Sequence, residues 1–304
     1  MDLELAIIGA GPAGLTAGIF AVRAGMSAAI FYKIPGGVMA TASVVENWPG
    51  TESISGQELT GRMVAHAKKE GVALIEESIS AISKEDDGFV LITENGNRHS
   101  AKAVLIATGG EHKELGAKGE KEFFGKGVSY CVTCDAPLFK GKDVAVIGGG
   151  NQALSGAILL AGIARKVYLV HRRDEFRGDD VLAKRISNIS NIEKMLSYLP
   201  SEIHGAASVE GIKIQAVKTQ QIKDINVQGV FICVGEVPSS VLASSLNVKT
   251  DERGFITADK EQATNIQGIF AAGDVTGGLL QIVKAAGEGA TAALSAFKYI
   301  RQKK

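Results

Sequence analysis

The chain has 304 residues, of which 45% are hydrophobic, with 37 glycines but only 6 prolines, a composition typical of a two-domain α/β protein. Its 33 basic and 33 acidic residues cancel, which excludes an electrostatic case for nucleic acid or an anionic membrane as a partner. With no signal-peptide pattern and no apolar run of roughly 18 residues, the sequence predicts a soluble, cytoplasmic protein without a membrane span.

Strand and helix patterns alternate along the chain. Strands are predicted at Leu3–Ile8, Ala28–Tyr32, Ile75–Ile82, Phe89–Thr93, Ala103–Ala107, Asp143–Ile147, Val167–Val170, Ile212–Val217 and Gly229–Val234. Helices are predicted from two glycine-rich turns to about Gly25 and Ala164, and from about Ile282 to Ile300. Because the βαβ pattern occurs twice, the sequence predicts two nucleotide-binding domains, with hinges near residues 111–116 and 235–240.

The first turn follows a strand and opens a helix, and it reads Gly9-Ala10-Gly11-Pro12-Ala13-Gly14. Gly9 permits a tight turn, Gly11 lets the backbone approach a pyrophosphate, and Gly14 lets helix and strand pack closely. The free N–H groups at the start of the helix would bind the phosphates. The motif, with Pro12 and Ala13 at the helix start, therefore predicts a dinucleotide site.

A second turn of the same kind reads Gly148-Gly149-Gly150-Asn151-Gln152-Ala153, and the strand after it ends in a basic run. The run contains His171, Arg172, Arg173 and Arg177. NAD-binding proteins carry an acid at this point, whereas guanidinium groups can hold the extra 2′-phosphate of NADP bidentately. The sequence therefore favours NADPH over NADH; a solvated basic loop is the alternative. The candidate contacts are Gly148, Gly150, Asn151, Gln152, Ala153, His171, Arg172, Arg173 and Arg177.

Between the two turns lies Cys131-Val132-Thr133-Cys134-Asp135. The spacing lets Cys131 and Cys134 close a small disulfide, and Asp135 can serve as a general acid or base for the thiols. Half of a metal site is the alternative, but zinc would need two further ligands, and no second CxxC or nearby histidine pair supplies them. A redox disulfide between two nucleotide sites predicts electron flow from nicotinamide to flavin to disulfide to an outside partner. Cys233, within an apolar run, is predicted to be a buried hydrophobic residue.

Two further segments favour a flavin. Ala107-Thr108-Gly109 ends a buried strand, where the backbone can meet a cofactor. Asp274, after Gly273 at another strand end, can accept a hydrogen bond from a ribityl or ribose hydroxyl. Either segment alone is more typical of a turn. Together they matter because they indicate that the chain comes back to the first domain.

Essentially the whole chain resembles the low-molecular-weight thioredoxin reductases. The motifs that carry the resemblance are Gly9–Gly14, Glu46-Asn47-Trp48-Pro49-Gly50, Ala107-Thr108-Gly109, Cys131–Asp135, the Gly148 turn with the run His171–Arg177, and Ala272-Gly273-Asp274. The resemblance implies an α/β fold of two Rossmann-like, three-layer ββα nucleotide-binding domains. Residues 1–113 and 241–304 would form an FAD-binding domain. An NADPH-binding domain, residues 114–240, would be inserted in it and carry the CxxC.

The resemblance also implies a reaction. NADPH would reduce FAD, the flavin would reduce the disulfide, and the resulting dithiol would reduce a thioredoxin-like protein. Cys134 would face the flavin, Cys131 would attack the disulfide of the partner, and Asp135 would be the acid or base. The resemblance adds Gly37, Asn47 and Gln281 to the flavin contacts and implies a homodimer.

Two positions depart from the family pattern. Val38 stands where the family has glutamine after Gly36-Gly37, and Leu280 stands where it has arginine before Gln281, so a polar flavin contact and a cation are lost. Both changes are similar to relatives that take electrons from reduced ferredoxin or a deazaflavin. Those relatives usually lack the second glycine-rich turn and the arginine run, which this chain has. NADPH is therefore the predicted donor, with ferredoxin or deazaflavin as the first alternative.

Two more alternatives stay open. A thiol oxidase that passes electrons to oxygen would be marked by loss of the NADP site, which this chain retains. A non-catalytic module that senses NADP is disfavoured by the intact CxxC with its aspartate. The sequence does not identify the disulfide partner, because thioredoxin, glutaredoxin-like proteins and small dithiols would all use the same CxxC.

Overall fold

A computed structural model of the chain describes residues 2–42, 44–85 and 88–302. The chain divides into two compact units, which are called the first unit (Met1–Glu111 with Val237–Lys304) and the second unit (His112–Glu236). Within the described ranges, no helix has both the length and the apolar character needed to cross a membrane.

Strands and helices alternate through both units. The strands are β1 (Asp2–Ile8), β2 (Ala28–Phe31), β3 (Ala73–Ile75), β4 (Ile79–Glu85), β5 (Gly88–Thr93), β6 (Arg98–Ile106), β7 (Gly110–His112), β8 (Val128–Ser129), β9 (Asp143–Ile147), β10 (Lys166–His171), β11 (Ile192–Leu196), β12 (Tyr198–Gly205), β13 (Val209–Ala216), β14 (Ile222–Asn226), β15 (Gly229–Ile232), β16 (Glu236–Pro238) and β17 (Ile269–Ala271). The helices are α1 (Pro12–Arg23), α2 (Gly56–Lys69), α3 (Val132–Asp135), α4 (Asn151–Ala161), α5 (Asp180–Ser187), α6 (Val241–Ser244) and α7 (Ile282–Gln302). Short 3-10 turns occupy Gly37–Thr41, Ala136–Phe139 and Asp274–Thr276.

The first unit has three layers. Its main sheet runs β3-β2-β1-β6-β5-β4, with β17 also paired to β6. Strands β1, β2, β3, β6 and β17 are parallel, whereas β4 and β5 extend the sheet with antiparallel pairs. Leu5 and Ile7 pack with helices α1 and α7, and Ala6 and Ile8 pack with β4 and β5. Burial on both faces explains why β1 reads as a continuous apolar run.

The second unit repeats this layering. A parallel sheet runs β11-β10-β9-β15-β8, and β12-β13-β14 form an antiparallel sheet. Val144 and Val146 of β9 pack in one core with helix α4, whereas Ala145 and Ile147 share another core with strands β12 and β13. The predicted α/β fold with two Rossmann-like, three-layer ββα units is therefore confirmed. Strands β7 and β16 pair as a separate two-stranded sheet.

Several predicted elements differ from those observed. The single strand predicted at Ile75–Ile82 is wrong, because β3 ends at Ile75 and β4 begins at Ile79. The polar residues between them form a turn in which Glu77 N donates to Ile75 O at 2.9 Å. Helix α4 ends at Ala161 rather than Ala164, where the following Gly162 closes the helix. Helices α2 and α5 and strands β11, β12 and β14 were not predicted, because they bury only one face or little of their length.

Candidate redox and nucleotide-binding sites

Cys131 and Cys134 form a disulfide, as their spacing predicts, with Cα atoms 5.3 Å apart. Cys131 caps the short helix α3, and its Sγ accepts a hydrogen bond from Cys134 N at 3.2 Å. Thr133 Oγ1 lies 3.4 Å from the same sulfur. A backbone N–H and a hydroxyl thus contact the sulfur of Cys131, and both favour a thiolate there once the disulfide opens.

The residues beside the cysteines anchor this segment in the core of the second unit. Val132 is buried against Gly156 of α4, where an added Cβ would lie 2.9 Å from Val132 Cγ2. Ala136 and Phe139 belong to the same core cluster. Cys131 and Cys134 themselves are only partly buried. The buried neighbours therefore anchor the helix in the core, while the disulfide lies near the surface of the unit.

Asp135 is partly buried beside the disulfide, and Ser129 joins the two. Burial raises the pKa of the Asp135 carboxyl above its usual range, and a hydrogen bond with Ser129 partly opposes this rise. Ser129 Oγ also accepts from Cys131 N at 3.0 Å, and Asp135 N donates to Cys131 O at 3.2 Å. A carboxyl with a raised pKa can hold a proton closer to neutral pH, as a general acid for thiol chemistry requires.

A buried carboxylate supports the chain just before the cysteines. Glu120 is 2% exposed, and its oxygens accept from Leu115 N at 2.8 Å and Gly116 N at 2.7 Å. Tyr130 Oη donates to Glu120 Oε1 at 2.7 Å, and the Tyr130 ring stacks on His112 with centroids 4.9 Å apart. Burial and the contact with Glu120 raise the pKa of Tyr130. This network fixes the residue that precedes Cys131.

The glycine-rich turn of the first unit has the predicted context, with β1 before it and α1 after it. Gly9 has φ +111°, and a Cβ there would lie 2.2 Å from Ala107 O, so any side chain would collide with the end of β6. A Cβ at Gly14 would lie 1.8 Å from Gly9 O. Gly11, in contrast, caps α1 without a side-chain hydrogen bond, and its nearest neighbour would be Gly36 O at 3.9 Å. Protein atoms therefore pack closely against the turn at Gly9 and Gly14, whereas the space beside Gly11 is open.

The other predicted flavin residues gather around this turn. Gly36 N donates to Ala10 O at 2.8 Å, which brings the predicted contact Gly37 to the turn. A Cβ at Gly273 would lie 3.0 Å from Ala13 Cβ. Thr108 and Gly109 directly follow the Ala107 carbonyl against which Gly9 packs. The structure therefore brings Gly9–Gly14, Gly37, Thr108, Gly109 and Gly273 into one region.

Asn47 and Gln281 form a pair of their own in the first unit. Asn47 Nδ2 donates to Gln281 Oε1 at 2.9 Å. The neighbouring residues Trp48 and Ile282 pack against one small apolar cluster, which includes Met39 of the 3-10 turn that contains Gly37. The loop before α2 and the start of α7 are thus joined to the Gly37 segment.

Several features of this region fit a dinucleotide such as FAD. The Oδ1 atom of Asp274 is buried without a hydrogen-bond partner among the described residues, although a buried polar group ordinarily has one. Gly37 and Gly109 have no protein atom within 4 Å of an added Cβ. The N-terminus of α1 lacks a side-chain cap and can bind phosphate through its N–H groups. A buried acceptor without a protein partner, open backbone and an uncapped helix N-terminus all fit a bound flavin nucleotide.

The second turn has the same construction. A Cβ at Gly148 would lie 2.3 Å from Cys233 O and 2.8 Å from Ala153 Cβ, so this end of the turn is closed. Gly150 caps α4 without a side-chain hydrogen bond, and an added Cβ would meet nothing within 4 Å. Asn151 and Gln152 form the exposed first turn of α4. Cys233 is buried in the core, as predicted.

The basic run lies beside this second turn. Arg177 N and Gly178 N donate to Gly149 O at 2.7 and 3.0 Å, and Asn151 Nδ2 donates to Asp179 Oδ2 at 3.0 Å. The side chains of Arg172, Arg173 and Arg177 are exposed, and none bonds to another residue in the part of the chain that the structure describes. Three guanidinium groups thus stand available next to an uncapped helix N-terminus.

His171 occupies a different position from the arginines. It is 5% exposed and lies beneath the turn, and its Nε2 is buried without a partner among the described residues. Burial lowers the pKa of His171, and Arg177, Arg173 and Arg172 lower it further. A neutral imidazole in this place supports the turn from below.

Three residues that matter to these sites were not predicted from the sequence. They are Ser129, which joins Cys131 to Asp135, and Lys284 and Glu288 of α7, which bond to the turn that carries Asp274. Ser129 acts through contacts with nearby residues of its own segment, whereas Lys284 and Glu288 contact a turn that precedes their helix. No local motif identifies them.

Comparison with known proteins gives a consistent result. Residues 3–289 match the family described as Pyridine nucleotide-disulphide oxidoreductase. The thioredoxin reductase of Helicobacter pylori is 42% identical over 307 residues, covering 98% of this chain and 99% of the relative. That of Bacillus subtilis is 39% identical, covering 98% of this chain and 95% of the relative. The crystal structure of thioredoxin reductase from Streptococcus pyogenes is similar with a TM-score of 0.94 and 38% identity, covering 99% of both chains.

Proposed function

Since this chain belongs to the pyridine nucleotide-disulphide oxidoreductase family, and within it to the thioredoxin reductases, we propose that it is an NADPH-dependent thioredoxin-disulfide reductase. It passes electrons from NADPH, through FAD and the Cys131–Cys134 disulfide, to a thioredoxin-like protein. The observation that carries this proposal is the closed disulfide with Asp135 beside it, in a chain with two open glycine-rich turns.

The first unit would hold FAD. Its pyrophosphate would lie over Gly11 at the N-terminus of α1, and Asp274 would accept a hydrogen bond from a ribityl or ribose hydroxyl. FAD, when bound, supplies the two-electron relay between a nicotinamide and a disulfide. The remaining candidate contacts are Gly9, Pro12, Ala13, Gly14, Gly37, Asn47, Thr108, Gly109, Gly273 and Gln281.

The second unit would hold NADPH. Its pyrophosphate would lie over Gly150, and the exposed Arg172, Arg173 and Arg177 would bind the 2′-phosphate. Because His171 is buried and its pKa is lowered, it would serve this site by shaping the turn rather than by carrying charge to the phosphate.

The cysteines complete the reaction by thiol–disulfide exchange. Two electrons and one proton open the Cys131–Cys134 bond and leave one thiol and one thiolate. The Cys131 thiolate attacks the disulfide of the partner, forms a mixed disulfide and releases one partner thiolate. Cys134 then attacks Cys131, which restores the internal disulfide and releases the second partner sulfur. Asp135, with its raised pKa, gives and takes the proton.

An anaerobic titration of the purified protein with NADPH tests this proposal. Bleaching of the flavin absorbance at a few equivalents of NADPH, with a much weaker response to NADH, would support flavin, donor and arginine site together. A flavin that stays oxidised with NADPH but bleaches with reduced ferredoxin or a deazaflavin would favour the alternative donor that Val38 and Leu280 suggest. A protein that binds no flavin would contradict both.

Three finer statements stay predictions. The homodimer follows from the family resemblance and is tested by light scattering. The cytoplasmic location that the sequence predicts is tested by cell fractionation. The choice between thioredoxin and a glutaredoxin-like partner is tested by comparing kcat/KM for the two.

A further inference from the structure

Lys284 occupies a position in its helix at which a positive charge does not stabilise the helix. It lies in the first turn of α7, which begins at Ile282 and has no acidic residue in that turn. The N-terminal end of a helix carries a partial positive charge and disfavours a cation. A lysine at this position therefore has to be explained by what its ammonium contacts.

The ammonium of Lys284 is bound to the turn at Gly273–Gly277. Its Nζ donates to Gly277 O at 2.7 Å, to Thr276 Oγ1 at 3.0 Å and to Gly273 O at 3.1 Å. It also pairs with Glu288 Oε2 at 3.0 Å, and both side chains are about one-fifth exposed, at 19% and 20%. Glu288 in turn accepts from Gly273 N at 2.8 Å. The pair thus bonds both the N–H and the C=O of Gly273.

The turn held in this way carries Asp274. Gly273 and Gly277 have φ values of +86° and +72°, so two residues in conformations that favour glycine set the path of the backbone around Asp274. Burial raises the pKa of Asp274, Lys284 lowers it, and Glu288 raises it. Lys284 and Glu288 are the two charged groups that act on this carboxyl, and its Oδ1 has no partner among the described residues.

We propose that Lys284 is a positioning residue for the flavin nucleotide, which fixes the Asp274 turn and keeps Asp274 an ionised acceptor for a sugar hydroxyl. Glu288 holds Lys284 in place and opposes its charge. The inference rests on the proposed binding of FAD in the first unit. It adds a lysine–glutamate pair, one helical turn apart on α7, that sets how strongly and over which pH range FAD is bound.

The sign of the pH effect follows from the charges. An ionised Asp274 binds the hydroxyl better than a protonated one, so FAD affinity falls as the pH falls through the pKa of Asp274. Removal of the Lys284 charge raises that pKa, and affinity is lost at higher pH. Removal of the Glu288 charge lowers it, and affinity is lost at lower pH.

The test dilutes the full-length holoenzyme and measures released FAD by its fluorescence, from about pH 5 to about pH 8. Lys284→Met is expected to weaken FAD binding about ten-fold at neutral pH, as loss of a charge-assisted hydrogen bond does, and to move the pH midpoint upward. Glu288→Gln keeps an acceptor for Gly273 N and is expected to move the midpoint downward. Lys298→Met is the matched control on α7, because Lys298 pairs with Glu261 instead.

The outcomes separate the possibilities. Opposite shifts of the midpoint in Lys284→Met and Glu288→Gln support the proposal. Equal weakening at every pH, or no change in either variant, overturns it and leaves a purely structural clamp. A wild-type protein that retains no FAD instead overturns the proposed flavoprotein function, and this inference with it.

Discussion

Gly149 packs against the imidazole ring of His171, and an added Cβ at Gly149 would lie 2.4 Å from the ring Nδ1 and Cε1 atoms. The carbonyl of Gly149 accepts hydrogen bonds from the N–H groups of Arg177 and Gly178. The middle glycine of this turn therefore serves the packing of a buried histidine and the position of the basic run. Gly150, one residue on, has no protein atom near an added Cβ.

Alanine at these two glycines is expected to have different effects. Gly149→Ala forces a methyl group into a buried ring and should destabilise the protein by about 1 to 3 kcal/mol, as overpacking does. Gly150→Ala should leave the thermal midpoint within a few degrees of wild type but weaken NADPH binding at least about ten-fold, because the methyl group fills the space above the turn. Thermal unfolding and an NADPH titration of both variants measure this. Equal loss of stability in both would contradict the assignment of Gly150 to the nucleotide.

The arginines of the basic run should control the choice between NADPH and NADH. Because the exposed guanidinium groups of Arg173 and Arg177 bond to no other described residue, each can hold a 2′-phosphate. We expect Arg173→Ala and Arg177→Ala to lower kcat/KM with NADPH about 10- to 100-fold and to change that with NADH little. Arg165→Ala is the control, since Arg165 already binds Asp143 through two hydrogen bonds of 2.8 Å. An unchanged ratio of NADPH to NADH activity would show that the run is only a solvated loop.

The parts of the fold that could be predicted are those buried on both faces. Strands β1, β6, β9 and β15 read as apolar runs because helices cover one side and antiparallel strands the other. Helix α5 exposes much of its length and strand β12 is mostly half-buried, and their patterns resemble loops. Helix α2 did carry a signal, since Ser55 and Glu58 have capping-box spacing and Ser55 Oγ accepts from Glu58 N at 3.1 Å.

The candidate sites divide in the same way. The disulfide and the strand–turn–helix context of both glycine-rich turns follow from short motifs, and the structure confirms them. The roles of Ser129, Lys284 and Glu288 depend on hydrogen bonds that only the folded chain brings together. The burial of His171 also depends on tertiary packing, because its motif places it in a basic run. Local sequence identifies the groups that react but not the groups that hold them.

The charge of Asp135 should cost the protein stability near neutral pH. Its pKa is raised by burial, so the folded protein binds the proton more readily than the unfolded one. Stability therefore falls as the pH rises from the ordinary carboxyl pKa through the raised pKa of Asp135. We expect Asp135→Asn to raise the thermal midpoint at neutral pH, with the gain vanishing toward the ordinary carboxyl pKa, while disulfide reduction slows. Thermal unfolding against pH measures the first effect and partner turnover the second.

Asp143 provides a control of opposite sign. A hydrogen bond with Arg165 lowers the pKa of Asp143, so its charge stabilises the folded protein at neutral pH, and that stability is lost as the pH falls through the lowered pKa. Asp143→Asn should therefore lower the thermal midpoint at neutral pH. If the thermal midpoints of both variants move in the same direction, the charge of Asp135 does not destabilise the folded protein as its burial predicts.

The two cysteines should differ when each is replaced by serine. In Cys134→Ser, Cys131 can still attack the disulfide of an oxidised thioredoxin-like protein, but no second thiol releases it. We expect a mixed disulfide to accumulate, visible on a non-reducing gel and removed by reductant, because Cys131 Sγ is the sulfur that the backbone N–H of residue 134 supports at 3.2 Å. Cys131→Ser should trap at least about ten-fold less partner, since the thiolate supported in this way is the more reactive one. Stronger trapping by Cys131→Ser would exchange the roles of the two cysteines. If Cys134→Ser traps a glutaredoxin-like protein but not thioredoxin, the partner is different while the chemistry of the CxxC stands.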